Sequence, residues 1–124
     1  MLDIELDAFG RRLGLPSLEL GEAGIASLVI DGLGTLSLQT GEGASDDELL
    51  MTLAVPLEPS AAAERYAAAL ERCGWRSGLP LPLSASLFRD HLILTVRFPA
   101  DRVTAPQLEN ALRFISDEAA RLAA

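Results

Sequence analysis

Apolar residues along the chain change their spacing several times, and each spacing predicts a different element. Near the start they recur every three or four positions, with charged residues between them, as in an amphipathic helix. These positions are Leu2, Leu6, Phe9 and Leu13. Gly14 and Pro16 follow, a pair that predicts the end of this first helix.

The next apolar stretches have the composition and alternation of strands. Residues 25–31 and 35–40 are joined by Asp31-Gly32-Leu33-Gly34, whose turn chemistry predicts a hairpin. Residues 48–57 are apolar at almost every position, which predicts a strand in the centre of its sheet. The acidic, glycine-containing stretch 41–47 between them is expected to form a mobile loop.

The second half of the chain predicts a helix, two strands and a final helix. Residues 61–73 contain six alanines, and Ser60 is expected to cap their first turn. Residues 83–88 and 92–98 alternate as strands around a short polar turn. Thr104 and Gln107 form a capping-box pattern with Pro106 in the first turn, which predicts a helix start.

This order predicts one α+β domain over residues 1–124. Its elements follow the sequence α-β-β-β-α-β-β-α, with a twisted, mainly antiparallel sheet and flanking helices. The last helix is expected to bury one stripe of side chains, formed by Leu108, Leu112, Ile115, Ala119 and Leu122.

Charge and cysteine content exclude several classes of partner. The chain has 18 acidic and 10 basic residues, with no lysine, and a net charge of −8. Such a chain repels phosphate backbones and anionic lipids, so neither nucleic acid nor a membrane surface is an expected partner. Its single cysteine cannot form an internal disulfide. With an acidic N-terminus and no long apolar run, the chain is expected to be soluble and cytoplasmic.

Candidate catalytic groups are few. His91 is the only histidine, and acid–base chemistry requires a partner that orients the ring. Cys73 is predicted near a helix C-terminus, where the partial negative charge raises a thiol's pKa. No helix follows the glycine-rich turns, so they do not match phosphate-binding loops. We therefore expect no metal, no cofactor and no enzymatic activity.

Two stretches carry a resemblance to a known family. The first is Phe9-Gly10-Arg11-Arg12-Leu13-Gly14-Leu15-Pro16, followed by a strand ending in Asp31-Gly32. The second is Leu92-Ile93-Leu94-Thr95-Val96, which leads into the helix of residues 108–115. With the element order and acidity, they resemble the class I chaperones of bacterial type III secretion, the Tir-chaperone or CesT-like family.

The resemblance implies an ATP-independent chaperone that binds the N-terminal segment of a cognate effector as an extended chain and keeps it competent for secretion. It also implies a homodimer, with Tyr66, Leu70 and Trp75 at the interface. The candidate effector-binding residues are Leu6, Phe9, Leu13, Leu28, Ile30, Leu36 and Leu38.

Two other hypotheses remain open at this point. One is an adaptor or regulatory domain of the same fold that binds a folded partner and has no role in secretion. The other is a small enzyme that uses Cys73 or His91.

Overall fold

The helices and strands follow the order that the hydrophobic pattern predicts. The structure, a computed structural model, describes residues 2–15, 18, 20, 24–40, 48–73 and 83–123. Their elements are α1 (Leu2–Arg12), β1 (Ile25–Ile30), β2 (Gly34–Gln39), β3 (Glu48–Pro56), α2 (Ala62–Arg72), β4 (Ser84–Phe88), β5 (His91–Pro99) and α3 (Ala105–Ala123). The loop predicted at 41–47 lies outside the described residues.

The five strands form one sheet in the order β1-β2-β3-β5-β4, and every neighbouring pair is antiparallel. This confirms the α+β fold class and the central position of β3. Within the described part of the chain, β1 pairs only with β2 and β4 only with β5. These two strands are therefore the edges of the sheet.

One face of the sheet forms the core. Alternate residues of the two central strands β3 and β5 point into this face, because strand side chains alternate between faces. They are Leu49, Met51, Leu53, Val55, Leu92, Leu94, Val96 and Phe98, all buried. The stripe predicted on α3 packs against them, with four members buried and Leu112 half-buried. Each fully buried leucine stabilises the fold by about 1.5–3 kcal/mol relative to an exposed one.

The ends of α1 and α3 are fixed by hydrogen bonds that the sequence predicts. After α1, the amide of Leu15 donates to the Gly10 carbonyl at 2.9 Å and that of Gly14 to Arg11 at 3.0 Å. Gly14 has φ +85°, so this is a Schellman ending with glycine in the left-handed region. At α3, the Thr104 amide donates to Gln107 Oε1 at 3.0 Å. The Gln107 amide in turn donates to Thr104 Oγ1 at 3.3 Å, which completes the capping box.

The start of α2 differs from the prediction. Ser60 lies inside a short 3₁₀ turn, Pro59–Ala61, and the N-cap of α2 is Ala61, which has no side-chain hydrogen bond. Proline at the first position of this turn fixes φ near the helical value, so the chain begins to wind before Ser60 can act as a cap.

Candidate binding groove

The core face of the sheet continues onto the edge strand β1 but is less covered there. Leu28 of β1 lies opposite Leu36 of β2, and Ala26 lies opposite Leu38. The two β2 leucines are each 1% exposed, whereas Ala26, Leu28 and Ile30 are only half-buried. The helices therefore cover the core side of β2 and leave that of β1 partly open.

An apolar groove of about 310 Å³ occupies this open side. Its walls come from the turn after α1, from β1 and from the middle of α3. The lining residues are Leu13, Leu15, Leu28, Val29, Ile30 and Leu112. All six are aliphatic, so the groove can hold apolar side chains and contains no group for acid–base or nucleophilic chemistry.

The end of α1 determines where one wall of the groove lies. Leu13 and Leu15 stand on either side of Gly14, whose φ is left-handed, and both line the groove although the helix has ended. Arg12, the last residue of α1, forms an ion pair with Glu109 of α3, with Nη1 and Oε2 2.7 Å apart. This contact joins the two helices beside the groove.

A second hollow, of about 630 Å³, adjoins the groove at the end of the sheet. It shares Val29 and Ile30 with the groove and extends past the β1–β2 turn to Pro56, His91 and Ala119. Its lining mixes apolar groups with Asp31 and His91. The groove and the hollow therefore both border β1 at Val29 and Ile30.

The structure divides the predicted effector-binding residues into two groups. Leu13, Leu28 and Ile30 line the groove. Leu6, Phe9, Leu36 and Leu38 are at most 1% exposed and belong to the core. The accessible part of the predicted set is therefore Leu13, Leu28 and Ile30, which are half-buried.

Sequence reasoning missed three residues that line the groove, Val29 of β1 and two others that belong to different segments. Leu15 stands between Gly14 and Pro16, in the first stretch that carries the family resemblance, and has no hydrophobic pattern of its own. Leu112 was assigned to the buried stripe of α3, where its half-buried position at the groove gave no separate signal. In both cases, the position depends on contacts between elements that are distant in the sequence.

Two of the three residues predicted for a dimer interface, Tyr66 and Leu70, lie on α2. Leu70 is 47% exposed and Tyr66 is half-buried. Ala63, Ala67 and Ala68 are exposed on the same helix. Trp75 lies outside the described residues. This combination leaves an apolar residue among small side chains on the surface.

Cys73 and His91 belong to separate elements. His91 is exposed at the first position of β5, and Cys73 follows the last turn of α2. Burial raises the pKa of the Cys73 thiol, and the nearby Glu118 carboxylate raises it further. Within the described ranges, no group of three or more His, Cys, Asp or Glu side chains could hold a metal ion.

None of the described helices is long and apolar enough to span a membrane.

Comparison with known proteins identifies relatives over almost the whole chain. A family model described as "Type III secretory system chaperone SycN" matches residues 1–120. A search of curated protein sequences gives no match.

Several solved structures have the same fold. One is the Yersinia pestis type III secretion chaperone SycH in complex with a stable fragment of YscM2, at TM-score 0.76 and 21% identity. The match covers 98% of this chain and 99% of that one. Another is the heterodimeric complex ExoU-SpcU from the Pseudomonas aeruginosa type III secretion system, at TM-score 0.67 and 17% identity. It covers 95% of this chain and 94% of that one.

The fold also occurs under a different description. YbjN from E. coli, a candidate transcription regulator, matches at TM-score 0.60 and 18% identity, over 99% of this chain and 88% of its own. At such identities these structures establish the fold alone, and the family model carries the assignment.

Proposed function

The chain belongs to the type III secretory system chaperone SycN family, and from this membership we propose that it binds the N-terminal segment of a secreted effector as an extended chain. The bound segment stays unfolded and competent for secretion. This proposed function consists of binding alone, so it requires neither ATP nor a cofactor. The binding takes place in the cytoplasm before export of the effector.

The observation that supports this proposal is the apolar groove beside the edge of β1. An extended segment can pair with an edge strand through main-chain hydrogen bonds, which are independent of side-chain identity. Alternate residues of such a segment point to the core side of the sheet. There they would enter the groove between Leu13, Leu28 and Leu112. Specificity then comes from the spacing of apolar residues in the cargo.

The effector-binding set follows from exposure. We assign cargo contact to Leu13, Leu28 and Ile30 from the original candidates and add Leu15 and Leu112. The four buried candidates support these residues from within the core. Changing Leu36 or Leu38 to Asp is therefore expected to unfold the chain, because it places a charge in the interior.

Catalysis has little support in the arrangement of side chains. The two reactive residues that the sequence offers, Cys73 and His91, lie on different elements, and the raised thiol pKa disfavours a nucleophilic thiolate. We propose that the protein is not an enzyme. Retained function after combined His91→Ala and Cys73→Ser substitution is the expected result.

The adaptor hypothesis shares the fold but lacks an observation of its own. The likeness to YbjN concerns architecture at 18% identity and says nothing about partners. An adaptor for a folded protein would be expected to use a broad surface, whereas the groove has a volume of about 310 Å³ and an aliphatic lining.

The test is to tag the protein in its own host, purify it gently and identify what co-purifies in stoichiometric amount. We expect one secreted protein, bound through its N-terminal region. Leu28→Asp is expected to abolish that association by placing a charge in the groove. Ile4→Asp, at a position on α1 that is 64% exposed and outside the groove lining, is the matched control.

Circular dichroism checks that both variants fold. Leu28→Thr is a milder variant that places a β-branched residue, a type favoured in strands, at this position, should the aspartate prove disruptive. Equal recovery of the secreted protein by wild type and Leu28→Asp would remove the groove from the proposal. Recovery of a folded regulator as the dominant partner would favour the adaptor hypothesis.

A further inference from the structure

A short ion pair connects the two helical walls of the groove. Arg12 Nη1 lies 2.7 Å from Glu109 Oε2 and donates a charge-assisted hydrogen bond to it. Arg12 directly precedes Leu13, which lines the groove on the α1 side. Glu109 lies three residues before Leu112, the groove residue of α3, and residues three apart share a helix face. The pair therefore bridges the two helices next to the groove.

We propose that Arg12 and Glu109 are positioning residues that set the distance between the Leu13 and Leu112 walls and thereby the affinity of the groove for an extended apolar segment. This inference rests on the proposed function. Neither side chain needs to touch the cargo, because the pair acts by holding the end of α1 against α3.

A second arginine lies beside the same carboxylate. Arg113, one turn further along α3, lies 3.7 Å from the other carboxylate oxygen of Glu109. Glu109 thus receives a cation on each oxygen and has less freedom to turn away from the groove. An acceptor held in this way loses less conformational entropy when Arg12 binds.

A separate contact attaches the other end of α1. Glu5 Oε1 accepts a hydrogen bond from the Ala105 amide at the start of α3, at 2.8 Å. The buried side chains of Leu6 and Phe9 lie between this contact and Arg12. With Glu5 fixing the start, loss of Arg12 releases only the last turn of α1 and the wall that follows it.

Other ion pairs of the described chain do not have this geometry. Arg11 pairs with Asp7 inside α1, at 3.1 Å, and Arg97 with Glu48 across two strands, at 3.5 Å. Arg11 is adjacent to Arg12, carries the same charge and is 69% exposed. Arg11→Gln is therefore a matched control for Arg12→Gln.

The test measures binding of a labelled synthetic peptide by fluorescence anisotropy. The peptide has leucine at every second position, serine or threonine between them and a lysine at each end, and it spans the six residues of β1. Because both side chains are partly solvated, Arg12→Gln is expected to weaken binding about threefold to fivefold. Arg11→Gln is expected to leave the affinity unchanged.

Two further variants separate positioning from a general structural effect. The Arg12–Glu109 hydrogen bond uses one nitrogen and one oxygen, which a lysine ammonium group can also provide. Arg12→Lys is therefore expected to keep most of the wild-type affinity. Arg12→Gln and Glu109→Gln combined are expected to weaken binding no more than either alone, because both remove the same contact. Thermal unfolding midpoints should be similar for all variants.

The outcomes distinguish the inference from the proposed function. If the peptide does not bind wild type, or if Leu28→Asp leaves its affinity unchanged, the groove proposal fails and the inference with it. If Leu28→Asp abolishes binding while Arg12→Gln and Arg11→Gln behave alike, the groove stands and the positioning role is overturned.

Discussion

Cys73 shows how the surroundings of one side chain decide its chemistry. It caps the C-terminal end of α2 and is half-buried near Glu118 of α3. Burial and then the Glu118 carboxylate raise its pKa, because both disfavour the negative thiolate. The thiol stays protonated at neutral pH and is a poor nucleophile. The sequence predicted the direction of this shift from the helix end, whereas the main cause in the structure is burial.

Alkylation of this single thiol gives a direct test. At pH 8 we expect iodoacetamide to modify Cys73 more slowly in the folded protein than in urea, because a raised pKa lowers the thiolate fraction. Glu118→Gln should reduce the difference between these two modification rates, because it removes a negative charge that disfavours the thiolate. The pKa of the Cys73 thiol is higher in the folded state than in the unfolded state. The contribution of this thiol to the free energy of unfolding is therefore complete below its unfolded pKa and is lost as pH rises through its folded pKa. Equal rates in both states would contradict the shift.

Three strand leucines show what an alternating sequence pattern does not determine. Leu28, Leu36 and Leu38 all face the core side of the sheet, as their spacing predicts. Two are buried and one is half-buried because β2 lies inside the sheet and β1 at its edge. Strand order depends on pairing between distant segments, so the sequence pattern identified the face without identifying which residues remain accessible.

Among the elements, α1 depends most visibly on one backbone position. Gly14 holds φ +85° where the helix ends, and no atom lies within 4 Å of where a Cβ would be. Gly14→Ala should therefore cost about 1 kcal/mol of unfolding free energy, from backbone conformation alone. Gly14→Asn should cost less, since asparagine tolerates this region. Urea unfolding measures both, and an alanine variant as stable as wild type would refute the argument.

Elements were predictable where local chemistry decides them. Thr104 and Gln107 form their reciprocal cap because both partners lie within one turn of the same helix. Ser60 had an equally plausible signal, but Pro59 started a 3₁₀ turn one residue earlier. The start of α2 therefore differs from the prediction because two adjacent sequence signals, Pro59 and Ser60, favour different starting points.

For the molecule as a whole, we propose a homodimer that uses α2. Leu70, 47% exposed among alanines, offers an apolar anchor on a surface that a second copy can approach closely. Light scattering at micromolar concentration is expected to give twice the 13.2 kDa chain mass. Leu70→Asp should shift it toward the monomer, and Ile4→Asp, also exposed, should not. A monomer mass for wild type would overturn the proposal.

Because the core side of β1 is partly open, binding of a ligand there is expected to affect how long the protein survives in the cell. Ala26, Leu28 and Ile30 complete their burial only when something lies over them. A segment bound there adds RT ln(1 + [L]/Kd) to the folding free energy, about 2.7 kcal/mol at a hundredfold excess over Kd. The empty protein would then open more often and be degraded faster by cellular proteases. Its abundance would follow the supply of its ligand without any dedicated regulator.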